Sequence, residues 1–122
     1  MKKILIPVVA AFVLVACNSM PIKNDNYPVV GKSSKQIEES ILKACQSRGW
    51  ICAATQEGLI EGVLNSRNVY MVKINIPYND KGYQIVYEDS RNLDAKNGKI
   101  HKGYYRWIGF LNKSINQNLA EQ

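Results

Sequence analysis

The stretch "NVYMVKINIPY", Asn68 to Tyr78, alternates apolar and polar residues at period two over most of its length. A β-strand turns successive side chains to opposite faces, so Tyr70, Val72, Ile74 and Ile76 share one face while Met71, Lys73 and Asn75 share the other. One dry face and one wet face predict an antiparallel sheet covered on a single side. After the turn "NDKG" (Asn79 to Gly82), "YQIVYED" repeats the pattern, with Tyr83, Ile85 and Tyr87 inward and Gln84 and Glu88 outward. Upstream, "WICAA" and "GLIEGVLN" read as one strand region interrupted near Gly58, with Ile60, Gly62 and Leu64 opposite Glu61.

Two helical patterns flank these strands. "SSKQIEESILKACQSRGW" opens with Ser33 and Gln36 at capping-box spacing, with Glu38 and Glu39 expected in the first turn. Ile37, Ile41, Leu42 and Cys45 make its apolar face, and Gly49 stops it. "KIHKGYYRWIGFLNKSINQNL" places Ile100, Tyr104, Trp107, Ile108, Leu111, Ile115 and Leu119 on one stripe. The expected fold class is α+β: a two-layer sandwich of helix, three-stranded antiparallel meander and helix, both helices on one face of the sheet.

Residues 1–16 have the organisation of a secretory signal, with Lys2 and Lys3 ahead of the apolar run "ILIPVVAAFVLVA" (Ile4 to Ala16). That run is shorter than the roughly 20 residues a membrane-spanning helix needs. Its end, "LVAC" (Leu14 to Cys17), resembles the lipobox of bacterial lipoproteins, which implies lipid attachment at Cys17 as the mature N-terminus. In that class aspartate after the cysteine favours inner-membrane retention; Asn18 here implies the outer membrane, periplasmic face. Residues 17–32, rich in Asn, Pro, Gly and Lys without apolar periodicity, read as a flexible tether, and residues 33–119 as a single α-β-β-β-α domain.

Processing would remove Lys2 and Lys3 and leave 14 basic against 10 acidic side chains. The charges are scattered, without the Lys/Arg block of a nucleic-acid site, so no nucleic acid is expected as a partner. The partners to expect are the membrane through lipidated Cys17, an envelope protein assembly, and an anionic glycan or lipid head group. Cys45 and Cys52 remain as a pair in an oxidising compartment, and the reversal at Arg48-Gly49 brings them within disulfide reach. The alternative is two buried free thiols. The spacing is not C-x-x-C, and two cysteines with one distant histidine make no zinc pattern, so neither metal nor cofactor is expected.

"RGW" (Arg48 to Trp50), Gly58 and Ile60, Arg67, "YQIVY" (Tyr83 to Tyr87) with Ser90, Asn92 and Leu93, and "IHKGYYRW" (Ile100 to Trp107) together resemble a family of small proteobacterial lipoproteins whose members mostly carry no assigned activity. The likeness covers about Gln36 to Ile115 and departs from the family pattern at Asn68 and Tyr105. It implies an envelope lipoprotein and no particular chemistry.

Two classes of function follow. A binding or structural accessory module would use Arg67, Tyr87, Ser90, Asn92, His101 and Tyr105 as a polar cluster near the sheet's end, because guanidinium and aromatic groups suit a phosphate, a carboxylate or a glycan edge. A hydrolase would need His101, the single histidine, beside a nucleophile and a carboxylate such as Ser90, Asp89 or Asp94. No spacing matches a known catalytic motif, so no catalytic residue is assigned. The first class expects His101 held by hydrogen bonds, the second expects it opening into a pocket.

Overall fold

The computed structural model describes residues 18–122; the signal peptide expected over 1–16 and the lipidation expected at Cys17 fall outside them. The elements in chain order are β1 (Ser19–Pro21), β2 (Asn26–Pro28), α1 (Ser34–Ser47), β3 (Ile51–Gln56), β4 (Leu59–Ser66), β5 (Tyr70–Asn79), β6 (Gly82–Gln84), β7 (Val86–Arg91), β8 (Lys99–His101) and α2 (Gly103–Ala120). Over the described residues the chain is α+β, with two helices and antiparallel strand pairing.

The expected three-strand meander is corrected to a six-stranded sheet, β2-β6-β5-β4-β3 with β7 also paired to β5, plus a separate β1-β8 pair. The region read as one interrupted strand near Gly58 is a hairpin of β3 and β4, with Gly58 at φ 81° supplying the left-handed turn residue. Downstream, the strand read as continuous is divided into β6 and β7 around Ile85. The register is the same on both sides, Tyr78 opposite Tyr83 and Asn75 opposite Val86, and the break adjoins the position opposite Pro77, which has no N–H to give the ladder.

The tether reading is also corrected. β1 pairs with β8 and β2 pairs with β6, so most of residues 18–32 form a strap along the domain. Backbone bonds extend the strap at both ends of β1: the Lys102 N–H donates to the Asn18 carbonyl at 3.0 Å, and the Ile22 N–H to Gly98 at 2.9 Å. Apolar periodicity is absent because the strap is held by main-chain pairing and single side chains. Ile22, Tyr27 and Val29 pack on the core, and Tyr27 stacks on Tyr83 at 5.1 Å between ring centroids. Gly82 is required by this approach, since a Cβ there would collide with the Tyr27 carbonyl.

Helix α1 keeps its expected capping box, Ser33 and Gln36 each bonding the other's backbone N–H. Its first turn holds no acidic residue; Glu38 lies beyond it and accepts a 2.6 Å hydrogen bond from the Tyr78 hydroxyl. Gly49, at φ 81°, ends the helix, and the Trp50 N–H returns to the Cys45 carbonyl. Ile100 and His101, expected on the last helix, belong to β8, and α2 begins at Gly103.

One continuous core joins the inward residues of β4 and β5 (Ile60, Leu64, Val72, Ile74, Ile76) to Ile37 and Ile41 of α1 and to Tyr104, Leu111 and Ile115 of α2. The helices pack together with small residues buried on each, Ser40 and Ala44 on α1 and Ser114 on α2, and Asn118 Nδ2 donates to the Ser40 carbonyl at 3.0 Å. Arg48 Nε donates to Ser114 Oγ at 2.7 Å, and its guanidinium lies 5.2 Å from the centre of the Phe110 ring. The arginine of "RGW" is therefore a clamp between helices. The Cys45–Cys52 disulfide is formed, with Cα atoms 6.1 Å apart, and joins the end of α1 to β3. Gly62 stands opposite Cys52, and a Cβ there would come within 2.8 Å of the Cys52 sulfur.

Candidate functional site

Half of the predicted cluster converges on one surface depression, a cleft of about 400 Å³ between the β4–β5 turn, the β7–β8 loop and the start of α2. Arg67 and Asn92 form its two rims, and His101 stands within it. Three residues of the predicted six are thus brought together.

Each rim is held in an unusual backbone conformation. Arg67 and Asn68 have φ 57° and 58°, and the Val69 N–H bonds back to the Ser66 carbonyl at 3.0 Å, the pattern of a tight type I′ hairpin turn. Asparagine tolerates that region; arginine pays about 1 to 2 kcal/mol for its Cβ. Across the cleft, Asn92 and Asp94 have φ 66° and 53°. The Asn92 side-chain amide donates to the Val69 carbonyl at 2.5 Å and ties the two strained rims together. Strain of this kind persists where surrounding structure over-determines it and is common at ligand sites.

Buried Leu93 forms the floor, and its carbonyl accepts the His101 N–H at 2.9 Å. The His101 ring accepts the Gly103 N–H at Nδ1, 3.0 Å, and so satisfies a free donor of the α2 N-terminus that Lys102 leaves uncapped. Tyr70 and Trp107 make an aromatic wall, with ring centroids 5.9 Å apart. Arg106 adds a second guanidinium, and Asp94 is the carboxylate of the lining. Among the described residues, neither Arg67 nor Arg106 forms an ion pair. The arrangement offers two guanidinium forks beside flat aromatic faces, a chemistry suited to an anionic group attached to a ring.

The other three predicted residues are elsewhere. Tyr87 and Ser90 hydrogen-bond to each other at 2.7 Å, and the Tyr87 ring meets Tyr104 edge-on at 5.6 Å. Tyr105 holds the strap: its hydroxyl donates to the Pro21 carbonyl at 2.5 Å and accepts the Lys23 N–H at 2.7 Å. Tyr104 is fully buried, and burial, then the neighbouring Tyr105, Tyr87 and Tyr27, push its hydroxyl far above the usual tyrosine range. Sequence reasoning missed Tyr70, Arg106 and Trp107 as lining residues. Arg106 and Trp107 sat inside the quoted "IHKGYYRW", where period-3.6 patterning marked Trp107 as core.

No protein-family model, no curated protein and no solved structure matches this chain.

Proposed function

We propose that this chain is an envelope lipoprotein, anchored through lipidated Cys17 on the periplasmic face of the outer membrane, that acts as a small binding module for an anionic group. The anchor rests on the signal-like residues 1–16 and the Leu14 to Cys17 sequence. Binding rests on one observation: Arg67 and Arg106, free of ion pairs among the described residues, flank the Tyr70–Trp107 wall of a single cleft. The Cys45–Cys52 bridge suits an oxidising compartment.

Binding is favoured over hydrolysis because the His101 ring hydrogen-bonds a backbone N–H, and no hydrogen bond joins it to Ser66 or Asp94, the serine and carboxylate of the same cleft. A general base needs a nucleophile in hydrogen-bond reach. The anchor is tested by intact-mass measurement of the protein extracted from cell membranes and by fractionation of a Cys17→Ala variant. An acylated Cys17 and loss of membrane attachment in the variant are expected. An unmodified wild-type Cys17 would sink the anchor.

A further inference from the structure

The strap places the cleft beside the anchor. Ser19 is paired with His101, and antiparallel partners lie about 5 Å apart. Cys17 is two residues before Ser19, so its Cα is at most about 7.6 Å farther along the chain. The pairing starts as soon as the chain leaves that cysteine, because the Asn18 carbonyl already accepts the Lys102 N–H. Lipid on Cys17 would therefore leave at most two residues of chain between the bilayer and the paired edge of the domain. The head-group layer is about 5 to 7 Å thick on each side, so a cleft that begins within about 13 Å of the anchor lies in or just above that layer.

The chemistry of that edge fits what it would meet. Lys99 of β8 and Lys102 are exposed beside the anchor strand, and Arg67 and Arg106 belong to the cleft; among the described residues none of the four forms an ion pair. Two of the few exposed large apolar side chains are here as well, Met20 on β1 at 43% and Val69 on the Arg67 rim at 48%. Cations with a few apolar tips are what an anionic interface retains.

Taking the Cys17 anchor as given, we infer that the domain lies edge-on against the bilayer and that the cleft receives the phosphate-bearing head group of an anionic lipid in the anchoring leaflet.

The test uses the full lipidated protein in vesicles containing lipids brominated near the head group, which quench nearby tryptophan. Trp50 is in the core, so Trp107 carries the signal, and a Trp107→Phe variant defines the background. Quenching is expected to be at least about twofold stronger when about a third of the lipid is phosphatidylglycerol than with phosphatidylcholine alone, and to weaken as salt screens the charges. The Arg67→Glu/Arg106→Glu variant should lose that difference, and the salt series on wild-type protein reads the same interaction without a substitution. Equal quenching on both vesicles would overturn the capture of an anionic head group by the cleft, and no quenching on either would overturn the edge-on placement with it. So would binding of a soluble acidic oligosaccharide in the cleft that vesicle composition does not affect. Intact mass measured first separates the two levels: an unacylated Cys17 removes the anchor and this inference together, whereas an acylated protein with composition-independent quenching removes the inference alone.

Discussion

The two edges of the large sheet are secured by different means. β3, at one edge, is almost wholly exposed, Ile51 at 74%, and only Cys52 is partly buried. Its hold on the helix layer is the Cys45–Cys52 bond. At the opposite edge β2 and the rest of the strap contribute Ile22, Tyr27 and Val29 to the core and are fastened by polar side chains: Tyr105 to Pro21 and Lys23, and Asn24, whose side-chain oxygen accepts the Tyr87 N–H at 3.0 Å. A strand with little to bury needs a covalent lock, whereas one with a few apolar anchors is held by hydrogen bonds whose desolvated groups would otherwise go unpaired.

Alkali should separate the edges most sharply. Burial raises the hydroxyls of Tyr83 and Tyr104 far above the ordinary tyrosine value, with nearby tyrosines adding to it, and burial followed by Asp25 and Tyr105 raises Tyr27. A group whose folded value is raised contributes stability that is complete below the unfolded value, near pH 10, and is lost as pH rises toward the folded one. The melting temperature should therefore fall steeply above about pH 10, with hydrogen exchange accelerating first in β2 and β6. Loss beginning in β3, which carries no tyrosine, would show that the tyrosine cluster does not hold the strap edge.

Reducing the disulfide comes next. Closing so short a loop is worth about 2 to 3 kcal/mol in the chain-entropy model, and a chemical-denaturation midpoint should drop accordingly, with β3 amides losing protection. An unchanged midpoint would mean that the backbone ladder to β4 is enough.

Tyr105→Phe removes both hydroxyl bonds to the strap and should cost about 1 to 2 kcal/mol. Exchange at β1 should rise while β3 is unaffected, and an equal response at both edges would break the comparison. The smallest expected effect is Ser33→Ala, about 1 kcal/mol from loss of the α1 cap, read as a shifted denaturation midpoint with neither edge singled out.

What could be read in advance follows from how each element is held. β5 buries a continuous face, so Val72, Ile74 and Ile76 announce it by alternation. The capping box and Gly49 delimit α1 because hydrogen-bonding and positive-φ requirements are local. The strap was misread because two three-residue strands held through single contacts leave no periodic trace. Of the candidate cluster, Arg67, Asn92 and His101 converge, whereas Tyr105 fastens the strap. A tyrosine that closes a hydrogen bond 84 residues away has the same local signature as one that lines a cleft.

The sequence alone determined the character of the layers, an antiparallel sheet with one covered face and two amphipathic helices, because side-chain period and cap chemistry act within a few residues. It also marked the two cysteines whose spacing around a helix end allows a bridge. Tertiary structure decided the strand order, the seating of residues 18–32 against β6 and β8, and the meeting of Arg67 with Arg106 and Trp107. Those are long-range pairings, and which distant partner satisfies a given backbone or side-chain group depends on the packing of the whole chain.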